Sequence, residues 1–253
     1  MHRYGDRLWM GSLVSLMAEF GLSEAAVRQA VSRMSRQGWL EAEKRGTRAY
    51  YALTPRGIKR VETISPRIYE PAAEWDGRWR LVTYTVAETK RELRDRLRKD
   101  LTLLGFAPLS ASTWVSPRDV TAAMREITDT PEFEERVHLF GAEYLGPLSD
   151  RQLLERSWNL EKIAHAYREF IDFYTDRLRC EREHPSLSDA QAFVERVWLV
   201  QDFRRFVYLD PGLPSALLPA HWPGSVASAL FREYYANISG KAIAFFEFRS
   251  ALS

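Results

Sequence analysis

Three changes of pattern along the 253 residues predict an α+β protein built in three parts. Residues 1–66 read as two short helices, two strands and a third helix. Residues 75–147 alternate strands with helices in the order βαββαβ, and residues 148–253 are helical almost throughout. Proline and glycine mark the joints: Pro66, Pro71 and Gly77 at the first, Gly146-Pro147 at the second. The expected domains are therefore 1–66, 75–147 and 148–253.

Bulk composition narrows the class. Hydrophobic residues make up 45%, charged residues 28%, and the formal net charge is +2, which excludes disordered and fibrous classes. No apolar run reaches the roughly 18–20 residues of a membrane span. Met1 to Asp6 lacks the apolar stretch of a signal peptide. The lone Cys180 cannot form an intrachain disulfide, so a reducing, cytoplasmic setting is expected. No nucleophile signature surrounds it, so a structural thiol is expected rather than a nucleophile.

In the first section, apolar residues at 9, 13, 16, 17 and 20 trace one face of a helix that Gly21 stops. Ser23 suits the cap of a second helix over residues 24–37, with Val27, Ala30, Val31 and Met34 as its buried stripe. Its opposite face carries Arg28, Gln29, Ser32, Arg33 and Arg36. Arginine forks to guanine and glutamine to adenine in the major groove, so these residues are candidate DNA contacts. After Gly38, residues 39–43 and 49–53 read as a hairpin whose turn holds Lys44, Arg45 and Arg48. Thr54-Pro55 then opens a third helix. A basic hairpin behind a recognition-type helix is the pattern of a winged helix-turn-helix, and its three cations are expected along phosphates or in a minor groove. Local charge agrees: from Arg28 to Arg60 nine basic residues face Glu41 and Glu43 alone, 9 − 2 = +7.

The second section reads as strand 79–86, helix, two short strands within 106–115, helix 118–128 and strand 137–145. Thr89 to Glu92 forms a capping box for the first helix, with Leu93, Leu97, Leu101 and Leu104 on one face. This order is the ferredoxin-like pattern. The third section carries aromatic stripes that fill cores and also line cavities, among them Trp158, Tyr167 and Trp198. A Pro-rich loop follows Asp210-Pro211-Gly212 and runs through Trp222, and Ser225 is expected to cap the last helix. Such a loop over a helical bundle would roof a ligand cavity.

Enzyme signatures are missing from the sequence. The five histidines share no ligand spacing, and no CxxC, HxxxH, Gly-rich phosphate loop or GxSxG elbow occurs. The expectation is a non-enzyme with no cofactor and no metal.

Gly11-Ser12-Leu13, Val27-Arg28, Arg33-Met34, Gly38-Trp39-Leu40 and residues 46–51 together resemble the PaaX-like regulators, the phenylacetic acid degradation repressor family. Arg67-Ile68-Tyr69, Trp75 to Trp79, Trp158-Asn159-Leu160 and Tyr167 to Phe170 fit the same family. So do Asp210 to Pro214, Leu218-Pro219 and Trp222-Pro223-Gly224. Two departures stand out: the family's usual apolar segment before Tyr4-Gly5-Asp6 is absent, and Asn159 replaces an acid. The resemblance implies a Cas2-like middle domain. It also implies repression of an aromatic-acid (phenylacetate-type) catabolic operon, released by an aryl-coenzyme A thioester such as phenylacetyl-coenzyme A. A different effector or an activator role is the alternative. Under this reading Trp158, Tyr167, Trp198 and Trp222 would hold the aryl group. Arg204 and Arg205 would be either phosphate anchors or a solvated pair. Cas2-type nucleases need strand-end carboxylates for a hard cation. Here Thr85 replaces the usual Asp and leaves Glu88, so nuclease activity is not expected. Partners are operator double-stranded DNA and a second copy of the chain in a homodimer, because one recognition helix reads too few base pairs alone.

Overall fold

The computed structural model describes residues 7–69 and 74–251. Tyr4-Gly5-Asp6 and Pro71 lie outside the described residues, as do the side chains of Pro66, Arg67 and Glu88.

The N-terminal section comprises β1 (Leu8–Trp9), α1 (Met10–Ala18), α2 (Glu24–Arg36), β2 (Leu40–Arg45), β3 (Arg48–Leu53) and α3 (Pro55–Tyr69). The Ser23 hydroxyl accepts the Ala26 N–H at 3.3 Å and so caps α2. Gly21 and Gly38 sit at φ 72° and 75°, the left-handed region that lets the chain leave each helix abruptly. Thr54 Oγ1 accepts the Gly57 N–H at 3.2 Å and donates to the Gly38 carbonyl at 2.6 Å, tying the start of α3 to the end of α2. Met10, Val27 and Val31 form the buried cluster, completed by Leu13, Val14, Met17, Leu40 and Tyr51. Met34, expected in the α2 stripe, is instead 38% exposed, because Leu40 and Tyr51 of the hairpin supply that part of the cluster. Trp9, expected on the first helix, lies in a strand that pairs with Tyr50, giving a sheet of order β1-β3-β2. The third helix runs past the expected break at Pro66. Burial of Ile68, and of the Tyr69 ring against Phe231 and Tyr235 at 5.8 and 5.5 Å, holds its last turn helical.

The middle section comprises β4 (Trp79–Tyr84), α4 (Arg91–Leu103), β5 (Ala107–Pro108), β6 (Thr113–Ser116), α5 (Thr121–Thr128) and β7 (Val137–Ala142). Its antiparallel sheet has the order β5-β6-β4-β7, the arrangement of two interleaved βαβ units. Side chains alternate across the central strand. Val82, Tyr84 and Trp114 face Leu97, Leu101, Met124 and Phe133 on one side. Trp79, Leu81 and Val115 face Leu153, Leu154, Leu213 and Leu217 on the other. The capping box expected at Thr89 is not formed. A 3-10 turn over Glu88–Lys90 leads into α4, so the cap position falls on Lys90, which makes no side-chain cap bond.

The last section holds α6 (Asp150–Ser157), α7 (Leu160–Glu183), α8 (Asp189–Arg204), α9 (Phe206–Leu209) and α10 (Pro223–Ala251). A capping box between Ser149 and Gln152 starts α6. Asn159, where an acid was expected, accepts the Lys162 N–H at 3.0 Å and opens α7 as an Asp would. The last helix begins at Pro223, two residues before the expected cap at Ser225, because proline's fixed φ suits a first helical position.

The chain forms two compact units. One takes Met1–Glu70, Asp172–Phe203 and Ala229–Ser253; the other takes Pro71–Ile171 and Arg204–Ser228. In the first unit the buried Glu181 carboxylate joins α7, the turn after it and α10. It accepts the Ser186 and Leu187 N–H groups at 2.9 and 3.2 Å and the Lys241 ammonium at 2.9 Å. Burial pushes this carboxyl up, but the Lys241 bond and the two backbone donors outweigh it and hold it below the ordinary range. A depressed folded pKa contributes stability above the unfolded value that is lost as pH falls. Glu181→Gln should therefore cost about 2 kcal/mol at neutral pH. In urea titrations its deficit relative to wild type should shrink below about pH 4.5, the ordinary glutamate range. A deficit independent of pH would show that charge is not the cause.

Candidate nucleic-acid interface and effector residues

All five candidate residues of α2, Arg28, Gln29, Ser32, Arg33 and Arg36, are exposed on the face away from Val27 and Val31. The Ser23 cap and the Gly38 stop set the length of this helix, and the Met10 cluster sets its rotation. Arg28 Nε donates to Glu24 at 2.7 Å, one turn back. That bond is made by Nε, not by the terminal guanidinium nitrogens. Arg33 and Arg36 have no acid partner among the described residues.

Lys44, Arg45 and Arg48 are exposed too, but strand alternation divides them. Arg45 pairs with Arg48 across the hairpin and shares their face with Glu43 and Tyr50, whereas Lys44 pairs with Ala49 on the other face. The hairpin acids are internally neutralised. Arg7 reaches both Glu41 and Glu43 at 2.9 Å, and Arg45 Nε donates to Glu43 at 2.7 Å. The bond from Arg45, with the charges of Arg45 and Arg7, holds the Glu43 carboxyl below its usual range. Arg7 was missing from the candidate list because only the β1–β3 pairing brings it to the hairpin. Arg56, counted in the local charge, is spent inside the fold: it donates to the Gln37 carbonyl at 3.1 Å and lies over the Trp39 ring at 4.3 Å.

The expected effector residues are dispersed. In the second unit, Trp158 stacks on Trp79 at 6.4 Å. Tyr167 is buried, stacks on Phe206 at 4.0 Å and donates its hydroxyl to Asp210 at 2.8 Å. Arg205 donates to the Ala166 carbonyl at 2.8 Å, and Arg204 is exposed. Trp198 belongs to the first unit, half exposed and edge-on to Phe20 at 6.1 Å. The Pro-rich loop is no loose roof. Leu213, Leu217 and Leu218 are buried, Arg118 donates to the Pro211 carbonyl, and Arg151 donates to the Leu218 carbonyl, each at 2.8 Å. Beside the end of the loop lies a cleft of about 180 Å³ lined by Leu160, Ala164, Arg168, His221 and Trp222. Arg168 and His221 were not foreseen: Arg168 reaches the loop end only through the packing of α7, and His221, although next to Trp222, shares no ligand spacing with another histidine. His221 adopts φ 60°, unusual for a residue other than glycine.

Thr85 is exposed at the end of β4, and among the described residues no three His, Cys, Asp or Glu side chains gather to hold a metal ion. No helix among the described residues is long and apolar enough to cross a membrane.

Comparison with known proteins shows the family of the chain. The transcriptional repressor PaaX of Escherichia coli K12 is 32% identical over 251 residues, spanning 96% of this chain and 78% of that protein. An uncharacterized protein of Mycobacterium tuberculosis, Rv0674, has a similar fold, with a TM-score of 0.60 at 23% identity over 92% of this chain and 89% of that one. Residues 1–57 match the family described as PaaX-like protein, and residues 72–154 match the PaaX protein central Cas2-like domain. Residues 158–248 match the PaaX-like protein C-terminal domain. With three matches in order along its length and a repressor at that identity, the chain belongs to the PaaX-like family.

Proposed function

We propose that this chain is a cytoplasmic, DNA-binding transcriptional repressor rather than an enzyme. Its N-terminal section would act as a winged helix-turn-helix, with domains at 1–66, 75–147 and 148–253. The observation that carries this is the exposed Arg28, Gln29, Ser32, Arg33 and Arg36 on α2, followed by a hairpin whose Gly46-Thr47 turn is flanked by exposed Lys44, Arg45 and Arg48. A second copy would supply the other half of a two-fold operator, with dimer contacts from the two later domains. Selection of duplexes from a random pool by the full chain tests this. A palindromic consensus and a dimer by sedimentation are expected; no enrichment over random DNA would sink the reading. Alanine at Lys44 or Arg45 should weaken binding to all sequences and lower the salt slope by about 1 each, as loss of a phosphate contact does.

For the effector we propose an aryl-coenzyme A thioester, as the family suggests, released operator DNA being the outcome. Trp222 and the cleft beside it would take the aryl group, with Trp158 and Tyr167 behind it and Arg204 and Arg205 toward the coenzyme A phosphates. Trp198, packed on Phe20, is read as a core-margin residue. Calorimetric titration with phenylacetyl-coenzyme A, with and without operator, should show binding about a hundredfold weaker on the DNA-bound protein, about 2.7 kcal/mol of coupling. Equal affinity in both states would remove the effector while leaving DNA binding intact.

A further inference from the structure

At the tip of the hairpin, Arg45 and Arg48 stand directly opposite each other, the last register pair before the Gly46-Thr47 turn. Gly46 has φ 59°, the conformation a two-residue turn demands of its first position. Like charges opposite one another disfavour a hairpin, so the pair needs a compensating partner. Arg45 has one, since its Nε and a terminal nitrogen donate to Glu43 at 2.7 and 3.4 Å. Arg48 has no acid partner among the described residues; its guanidinium lies over the Trp9 ring at 4.8 Å.

That ring is itself seated by a missing side chain. A Cβ built on Gly11 would meet three atoms of the Trp9 ring at 2.3 to 2.7 Å, so only glycine at position 11 leaves the ring its place. Pairing of Trp9 with Tyr50 then aligns the ring beside β3. Gly11, Trp9 and Arg48 thus form a stack that places one exposed guanidinium, with no acid partner among the described residues, over a ring at the hairpin tip. A weakly hydrated guanidinium held this way suits a narrow, A·T-rich minor groove, whose potential is strongly negative and which admits no guanine amino group.

We propose that Arg48 reads an A·T-rich minor groove flanking each half-site, and that Trp9, seated on Gly11, is its positioning residue. The proposal rests on the DNA-binding reading above and adds a specific base-pair preference to it. Arg45, tied to Glu43, and Lys44, on the opposite face, would not share that preference.

The test uses the tightest duplex that the full-length wild type recovers from a random pool. Each flanking A·T pair is replaced by G·C, which puts an amino group in the minor groove, or by I·C, which does not. Wild type should bind the G·C duplex about tenfold more weakly and the I·C duplex as well as the parent. Arg48→Lys, at an exposed position, keeps the charge and the fold but should bind G·C and A·T flanks alike. Trp9→Leu should show the same loss of discrimination. If Trp9→Leu does not fold, Arg48→Lys alone decides. Equal effects of G·C and I·C, a selected duplex without flanking A·T pairs, or full discrimination in Arg48→Lys would overturn the proposal while leaving DNA binding standing. Failure of wild type to select any duplex would instead overturn the DNA-binding reading, and this proposal with it.

Discussion

Arg28→Ala should weaken binding to the selected operator by about 1–3 kcal/mol, roughly 5- to 150-fold, and relax preference at one base pair. The reason is geometric. Glu24 takes Arg28 Nε at 2.7 Å, which restrains the side chain along α2 and leaves its two terminal nitrogens for a fork to guanine O6 and N7. Arg28→Lys should lose nearly as much, because an ammonium cannot make that fork. Glu24→Ala, which removes only the restraint, should cost less than either. Fluorescence anisotropy with the operator and with single-pair variants would measure this. Equal weakening on operator and random DNA would reassign Arg28 to a phosphate.

The second large effect concerns the core of the first unit. Phe231→Ala should destabilise the protein by about 3–5 kcal/mol, the range for removing a buried aromatic. Phe231 is 1% exposed, stacks on Phe203 at 4.3 Å and packs against Tyr69 at 5.8 Å and Tyr235 at 5.7 Å. Its ring therefore holds the last turn of α3, where the sequence pattern alone ended the helix. Denaturant unfolding followed by fluorescence should show a lowered midpoint. Hydrogen exchange should show the C-terminal turn of α3 losing protection before α2. A loss under 1 kcal/mol would mean that the neighbouring rings close the cavity.

Much of the local structure around the candidate interface was legible in the sequence. The α2 stripe, the Ser23 cap, the Gly21 and Gly38 stops, the hairpin and the Thr54-Pro55 start all depend on residues within a few positions of each other. Local φ preferences and helical or strand periods express them directly. The βαββαβ order was readable for the same reason. Tertiary structure alone decided the rest. Arg7 reaches Glu41 and Glu43 only because β1 pairs with β3, far along the chain. Arg56 looked like a free cation until the end of α2 came within its reach. Trp158 became a partner of Trp79, and the Pro-rich loop became a buried wedge fastened by Arg118 and Arg151. Such outcomes depend on which distant segments meet. A charge or an aromatic ring carries the same local pattern whether it faces solvent, a ligand or the core. Sequence therefore determined which residues could serve a DNA interface, and packing between distant segments decided which of them were left free to do so.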